Sequence, residues 1–215
     1  MKDLFYKEIK LALHPTIYFF LCFGALLLIP SWPFFIAFMY FFIAVMNTLM
    51  EGKANLDILF TVSLPVRKID VVRARVYSIA AFEIAQLVAA VPFAVLNRVI
   101  NPHGNAAGMN PNIAFFGFLF VMYAIFNALL FPMFYKRAYK PGLPILISTL
   151  AALVFVGIVE TLVHVIPVLA AHMNPVGAAQ PLSQLAVLIA GILIFLIATK
   201  YAFTMASRNF DKLDL

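Results

Sequence analysis

The sequence predicts an all-α integral membrane protein of six transmembrane helices in one domain, residues 1–215, and three observations predict it. Of its 215 residues 65% are hydrophobic and only 11% charged, whereas soluble domains hold roughly 45–50% apolar and about 25% charged residues. The mean hydropathy is +1.02, so there is more apolar surface than a water-soluble core can hide. The apolar residues also fall into tracts near 20 residues long, the length a helix needs to cross a hydrocarbon layer of about 30 Å. Short segments rich in Lys and Arg separate them. With turns, a chain of this length holds about six such helices.

Each element follows from local signals. Residues 2–13 pattern as a short amphipathic helix, with Leu4, Phe5, Ile9 and Leu13 opposed to Lys2, Lys7 and Lys10. Such a helix lies along the inner membrane face. It has no small-residue cleavage site, so it is expected to stay attached rather than act as a removed signal peptide. Residues 16–50 are one apolar tract, too long for one span. Pro30-Ser31-Trp32-Pro33 divides it, because proline ends helices and tryptophan favours the interface. The first two spans are therefore expected at about 14–30 and 33–50.

A third helix is expected from about 68 to 99. It is longer than the bilayer requires, so its first turns project into the cytosol. Residues 100–112 are a turn-rich outer loop, and the fourth span covers about 113–135. Lys136, Arg137 and Lys140 mark an inner loop, and a fifth span covers 143–159. Residues 160–184 are apolar but broken by three prolines. They suit either a re-entrant outer hairpin between spans five and six or a fifth helix that runs on and kinks at Pro167. The sixth span covers 185–206, before a polar tail at 207–215.

Among the fifteen Lys and Arg residues, only Arg98 falls on an outer segment in this arrangement. That bias places both termini in the cytosol and requires an even number of spans. The net charge of +6 is therefore an orientation signal, and no nucleic-acid partner is expected. No GxxxxGK[ST], HExxH or GxSxG pattern occurs, and Cys22 is the only cysteine. His14, His103, His164 and His172 are scattered over separate segments. No catalytic residue, no bound metal and no cofactor of this chain's own is expected.

Residues 50–76 form the longest polar interruption. Within them, Asn55 or Asp57 can cap a short helix over about 56–63, which Leu64-Pro65 ends. Leu56, Leu59 and Phe60 give it an apolar face with Asp57 alongside. Held between two spans, such a helix can plug into a groove on a cytosolic partner. Arg67, Lys68, Arg73 and Arg75 follow, suited to that partner or to anionic lipid headgroups.

Glu83 falls within the third span, where an unpaired charge costs about 2.5–3.5 kcal/mol. At 100° per residue Glu83, Gln86, Ala90 and Asn97 share one face, and Ala81, Ala85 and Ala89 a roughly opposite one. The polar face suits either the lining of a path, with Glu83, Gln86 and Asn97 as its residues, or a purely structural bond to a neighbouring span. Glu160 and His164 are four apart and can pair as an outer gate or as plain interfacial groups. Tyr40 with Asn47, and Tyr123 with Asn127, most simply glue helices together.

This pattern resembles the permease subunit of a type-2 ABC exporter of the bacterial half-size class. The most specific part is the run SLPVRKIDVVRAR, from Ser63 through Arg75. An amphipathic N-terminal helix before six spans and the broken segment 160–184 are also similar to that family. The resemblance implies that the 56–63 helix is a cytosolic coupling helix between spans two and three. Asp57, Leu59 and Phe60 would make the contact, supported by Arg67 and Lys68. It implies a cytosolic ABC ATPase subunit that supplies ATP and Mg chemistry, and a second permease copy or a paralogue that completes one path. It implies a multi-pass protein of the bacterial plasma membrane. The short chain and the LPV run look closest to exporters of amphipathic toxin peptides and to bacteriocin-immunity exporters. A self-contained secondary transporter or channel is the rival reading. It would show inverted repeats and more intramembrane charges.

Overall fold

A computed structural model describes residues 2–137, 139–175 and 181–213, apart from the side chains of Leu59 and Val62. Nine α-helices run along the described chain: α1 Lys2–Lys7, α2 Thr16–Leu21, α3 Phe34–Ala54, α4 Asp57–Ser63, α5 Lys68–Ile100, α6 Ile113–Lys136, α7 Gly142–Val165, α8 Pro167–Met173 and α9 Pro181–Asp211. A π-helical turn, Glu8–Ala12, extends α1, and a 3₁₀ stretch, Cys22–Leu28, extends α2. There is no strand among the described residues.

Five helices, α3, α5, α6, α7 and α9, are each long and apolar enough to cross a membrane. The candidate for a sixth lies in the N-terminal pair Lys2–Ala12 and Thr16–Leu28, bent by 88° at its break. That bend separates an amphipathic arm from an apolar one. The first span is shorter than the expected 14–30. As six α-helical and seven 3₁₀ residues it extends only about 23 Å. Pro15 opens it, and Ser31, with φ of 60°, turns the chain out of it. At Gly24 it presses on α5, where an added Cβ would lie 2.7 Å from the Ala90 Cα.

α5 and α6 keep to the expected bounds within a residue or two. α7 does not stop at residue 159. It continues through Glu160 and His164 to Val165, and the break falls at Ile166, which is extended (φ −96°, ψ 109°) before Pro167 opens α8. A proline disfavours the helical option for the residue before it, so the fifth helix runs on past residue 159, as one of the two expectations has it, and breaks at Pro167 into the separate short helix α8. Residues 176–180 of segment 160–184 lie outside the described residues.

α6 is the central helix. Phe115, Tyr123, Phe126, Phe131 and Phe134 are fully buried on it. Phe42 of α3 stacks on Phe126 with ring centres 3.8 Å apart, and Phe35 packs on Phe115 at 4.7 Å. α9 crosses α6 backbone to backbone. A Cβ on Gly191 would lie 2.2 Å from the Gly117 carbonyl oxygen, and one on Gly117 would lie 2.7 Å from the Val187 carbonyl oxygen. Lipid tails offer no hydrophobic drive for helix pairing, so close approach of this kind holds spans together. Gly191→Leu is expected to lower stability in detergent by about 1–3 kcal/mol, read by thermal unfolding. Gly157→Leu, where an added Cβ meets nothing within 4 Å, is expected to be neutral.

Candidate functional site

The short helix between the second and third spans exists, but it is not capped as the sequence suggests. Leu56 occupies the N-cap position in the left-handed region (φ 52°, ψ 31°), with no side-chain cap. Neither Asn55 nor Asp57 bonds the first turn. Leu64 is extended (φ −79°, ψ 159°) ahead of Pro65 and ends the helix as expected. A leucine in the left-handed region costs about 1–2 kcal/mol. Leu56 is 59% exposed, Phe60 63% and Leu64 43%. Phe60 lies on α4 and the other two at its non-helical ends, and the three make an exposed apolar stripe of which only Phe60 is helical. Ile58 faces the opposite way and is buried. The Leu59 side chain lies outside the described residues. Leu64, read from the sequence only as a terminator, is part of the stripe.

Asp57 points inward. Its Oδ2 accepts from Arg75 Nη2 at 2.6 Å, and its Oδ1 pairs with Lys7 Nζ at 2.5 Å. Arg75 also donates from Nε to Glu8 Oε2 and from Nη2 to Glu8 Oε1 at 3.1 Å. Lys7 Nζ further donates to Thr61 Oγ1 at 2.6 Å. Arg75 is 2% exposed and Glu8 1%. Two cations and two carboxylates from α1, α4 and α5 thus form one closed network. Burial pushes the Asp57 carboxyl up, but Arg75 and Lys7 together outweigh it and hold the group below its ordinary 3.8. The sequence reading grouped Arg75 with the basic residues of the loop and left Glu8 unassigned.

The supporting basic residues divide. Arg67 Nε donates to Asp70 Oδ2 at 2.7 Å, and its side chain is 75% exposed. Lys68 Nζ donates to the Leu213 carbonyl at 2.8 Å and lies 5.5 Å over the Phe210 ring, which ties α5 to the end of α9. A cleft of about 590 Å³ lies beside α4, lined in part by Asp3, Leu4 and Leu11 from the N-terminal arm and by Phe60 and Leu64.

Glu83, Gln86 and Asn97 share one face of α5, and that face looks into the protein. Gln86 Nε2 donates to the Phe20 carbonyl at 3.0 Å, and its Oε1 accepts from the Tyr123 hydroxyl. Asn97 Nδ2 donates to the Leu27 carbonyl at 2.5 Å, in the last turn of the 3₁₀ stretch. Asn127 Nδ2 donates to Glu83 Oε2 at 2.6 Å. In a single chain these groups join α5 to the first span and to α6. Ala81 and Ala89, on the roughly opposite face, are exposed, and Ala85 is half-buried.

At the end of the bundle opposite α4, both Glu160 carboxylate oxygens accept from the Met109 N–H at 3.1 Å. His164 Nδ1 lies 2.7 Å from the Glu160 carbonyl oxygen and 3.5 Å from its Oε2. Asn110 N–H donates to Asn174 Oδ1 at 2.7 Å, and Asn112 Nδ2 donates to the Met173 carbonyl at 2.8 Å. The 101–112 loop, α7 and α8 are thereby fastened together. Among the described residues, no three His, Cys, Asp or Glu side chains are placed to hold a metal ion.

The described residues form a helical bundle with five helices long and apolar enough to cross a membrane and a short helix at one end. A family model described as ABC-2 family transporter protein matches residues 3–208, and the chain belongs to that family. No curated protein and no solved structure matches it. Members of the family are the membrane components of ABC transporters, not themselves catalytic, and work with an ATPase subunit.

Two expectations follow. Gln86→Leu removes the partners of both the Phe20 carbonyl and the Tyr123 hydroxyl, and should lower stability by about 1–2 kcal/mol in a detergent unfolding assay. Asp57, with a depressed folded-state pKa, contributes stability that is complete above the unfolded value and lost as pH falls through the folded one. Hydrogen-exchange protection factors over residues 57–63, taken against the intrinsic rate at each pH, should therefore be unchanged from neutral pH down to about 4 and fall below it.

Proposed function

We propose that this chain forms the translocation path of an ATP-driven exporter in a bacterial plasma membrane, with both termini in the cytosol. A separate cytosolic ABC ATPase drives it by gripping α4, the coupling helix. The observation that carries this reading is the exposure of Phe60 on α4, and of Leu56 and Leu64 at its two ends, on a segment whose other side is fastened by ions. Exposed apolar side chains at an aqueous end mark a surface meant for a partner. The basic residues that set orientation lie at the same end.

A second copy completes the path. One face of α5 bears Val88, Val91, Val95 and Val99 and one face of α9 bears Leu185, Ile189, Leu193 and Leu196, all exposed. A path bounded by such faces suits amphipathic peptides of the toxin or antimicrobial kind better than fully polar solutes. Glu83, Gln86 and Asn97 border that path when α5, with the first span fastened to it, moves against α6. Glu160 with His164 is the outer gate, through its hold on the 101–112 loop. Arg67 contributes to the ATPase contact from the rim, with Lys68 steadying the base of α5.

Phe60→Asp is expected to insert normally and to lose ATP hydrolysis stimulated by the permease when reconstituted with its ATPase. Normal stimulation in that variant removes the coupling assignment. Glu83→Gln is expected to reach wild-type levels in the membrane and to change export of an amphipathic peptide. Unchanged export assigns Glu83 to helix pairing alone.

A further inference from the structure

We infer that Asp57 and Arg75 are positioning residues that lock α4 to the N-terminal arm and to α5 as one unit, so that a push on Phe60 reaches two membrane segments at once. The inference rests on the reading that α4 is the docking helix, and goes beyond it by saying how the docking load enters the membrane.

The chain on either side of α4 is built of bends. On one side lies Asn55 and then Leu56 in the left-handed region. On the other lie extended Leu64 and Pro65. Ile58 is buried, but apolar contact is non-directional and would let the helix roll. Direction comes from the guanidinium. Arg75 addresses two carboxylates from two segments with one rigid planar fork, using Nε and Nη2 on Glu8 and Nη2 on Asp57. Lys7 closes the ring by reaching Asp57 and Thr61. Both Asp57 oxygens are therefore occupied from within, and the partner contact falls to Phe60 and its neighbours.

The unit has two outlets. Arg75 lies on α5, which runs on to Ile100 at the outer end. Glu8 and Lys7 lie on the arm that turns by 88° into the first span. Gln86, Asn97 and the Gly24 contact join that span to α5 higher up. Movement of α4 is thus delivered to two segments already fastened to each other.

Arg75→Gln would leave two carboxylates buried without their cation and threatens the fold. Asp57→Asn is the better probe, because the Arg75–Glu8 pair survives it. The readout is transmission to the far end of α5. In a Cys22→Ser background, Val99→Cys, at an exposed outer position, is labelled with a membrane-impermeant maleimide on the full permease–ATPase complex, with and without ATP and vanadate. The unaltered network should show a nucleotide-dependent change in labelling rate. In Asp57→Asn that change should fall at least about tenfold, the worth of one charge-assisted hydrogen bond, while ATPase binding and hydrolysis persist. With Lys7→Cys and Asp57→Cys joined by a short bis-methanethiosulfonate, the change should return, and reductant should abolish it. A full labelling change in Asp57→Asn overturns the inference, and so does a bridge that restores nothing. Loss of ATPase binding in Asp57→Asn also overturns it, in favour of direct contact. Normal ATPase stimulation in Phe60→Asp defeats the docking reading itself, whatever the labelling shows.

Discussion

A guanidinium with almost no access to water must find its counter-charges nearby, and Arg75 imposes that demand on the whole cytosolic end. Removing one partner of a buried pair costs about 3–5 kcal/mol. An exposed bridge such as Arg67 to Asp70, whose Arg67 side chain is 75% exposed, is worth about 0–1 kcal/mol. Of the basic residues in the 50–76 loop, Arg75 is therefore the one whose environment dictates structure. To supply Glu8, the N-terminal arm must fold flat against the start of α5, which accounts for its 88° bend from the first span. To supply Asp57, α4 must turn its charged edge inward, and Phe60 is then left facing outward. The exposure of Phe60 is a consequence of where Arg75 sits.

Within the spans, different forces decide. Lipid tails are as apolar as leucine, so the phenylalanines that fill the interior gain little by choosing one another over lipid. Specific pairing comes from close backbone approach and from polar groups that have no water to turn to. Gly117 against Gly191 sets the α6–α9 crossing, and Gly24 against Ala90 sets the first span on α5. Gln86, Asn97 and Asn127 then fix rotation, because each has a partner on another element. The 3₁₀ geometry of Cys22–Leu28 belongs to the same arrangement. It stretches a short segment while Asn97 takes up a carbonyl from its last turn.

The spans were legible because each one shows itself through length and flanking charge, which are local quantities. The existence of α4 was legible from the Leu64-Pro65 stop and the apolar spacing before it. That Glu83, Gln86 and Asn97 share a face was legible too, since 100° per residue fixes their relative angles. Which neighbour that face meets was not, because periodicity carries no information about other helices. The same limit hid Arg75. Arg73 and Arg75 look alike in sequence, but two positions along a helix is about 200° of rotation. One guanidinium therefore lies 5.2 Å over the Phe203 ring and the other is sealed against Glu8. The Gly117–Gly191 contact joins helices far apart in the chain, with no local mark to pair them. α7 ran past its expected end because Glu160 and His164 read as boundary polarity, whereas the Met109 N–H satisfies that carboxylate in place and His164 Nδ1 bonds the Glu160 carbonyl within the helix.

Directional bonds hold the two ends of the molecule and, between them, the inward face of α5. The inner end is held by Arg75 and by Lys68 on the Leu213 carbonyl. The outer end is held by Glu160 on Met109 and by the asparagines on α8. The outward faces between them, along α5 and α9, carry valine, leucine and isoleucine, which hold no preferred register against a neighbour. Packed interfaces change by discrete shifts of whole elements more readily than by bending. Stiff ends joined by smooth faces are suited to that kind of change. A polar residue on those outward faces would fix a register, and the exposed stretch from Val88 to Val99 contains only one, Asn97's neighbour Arg98. Glu83, Gln86 and Asn97 lie on the inward face of α5, so their bonds fix the packing of the bundle itself and leave its outward faces without one.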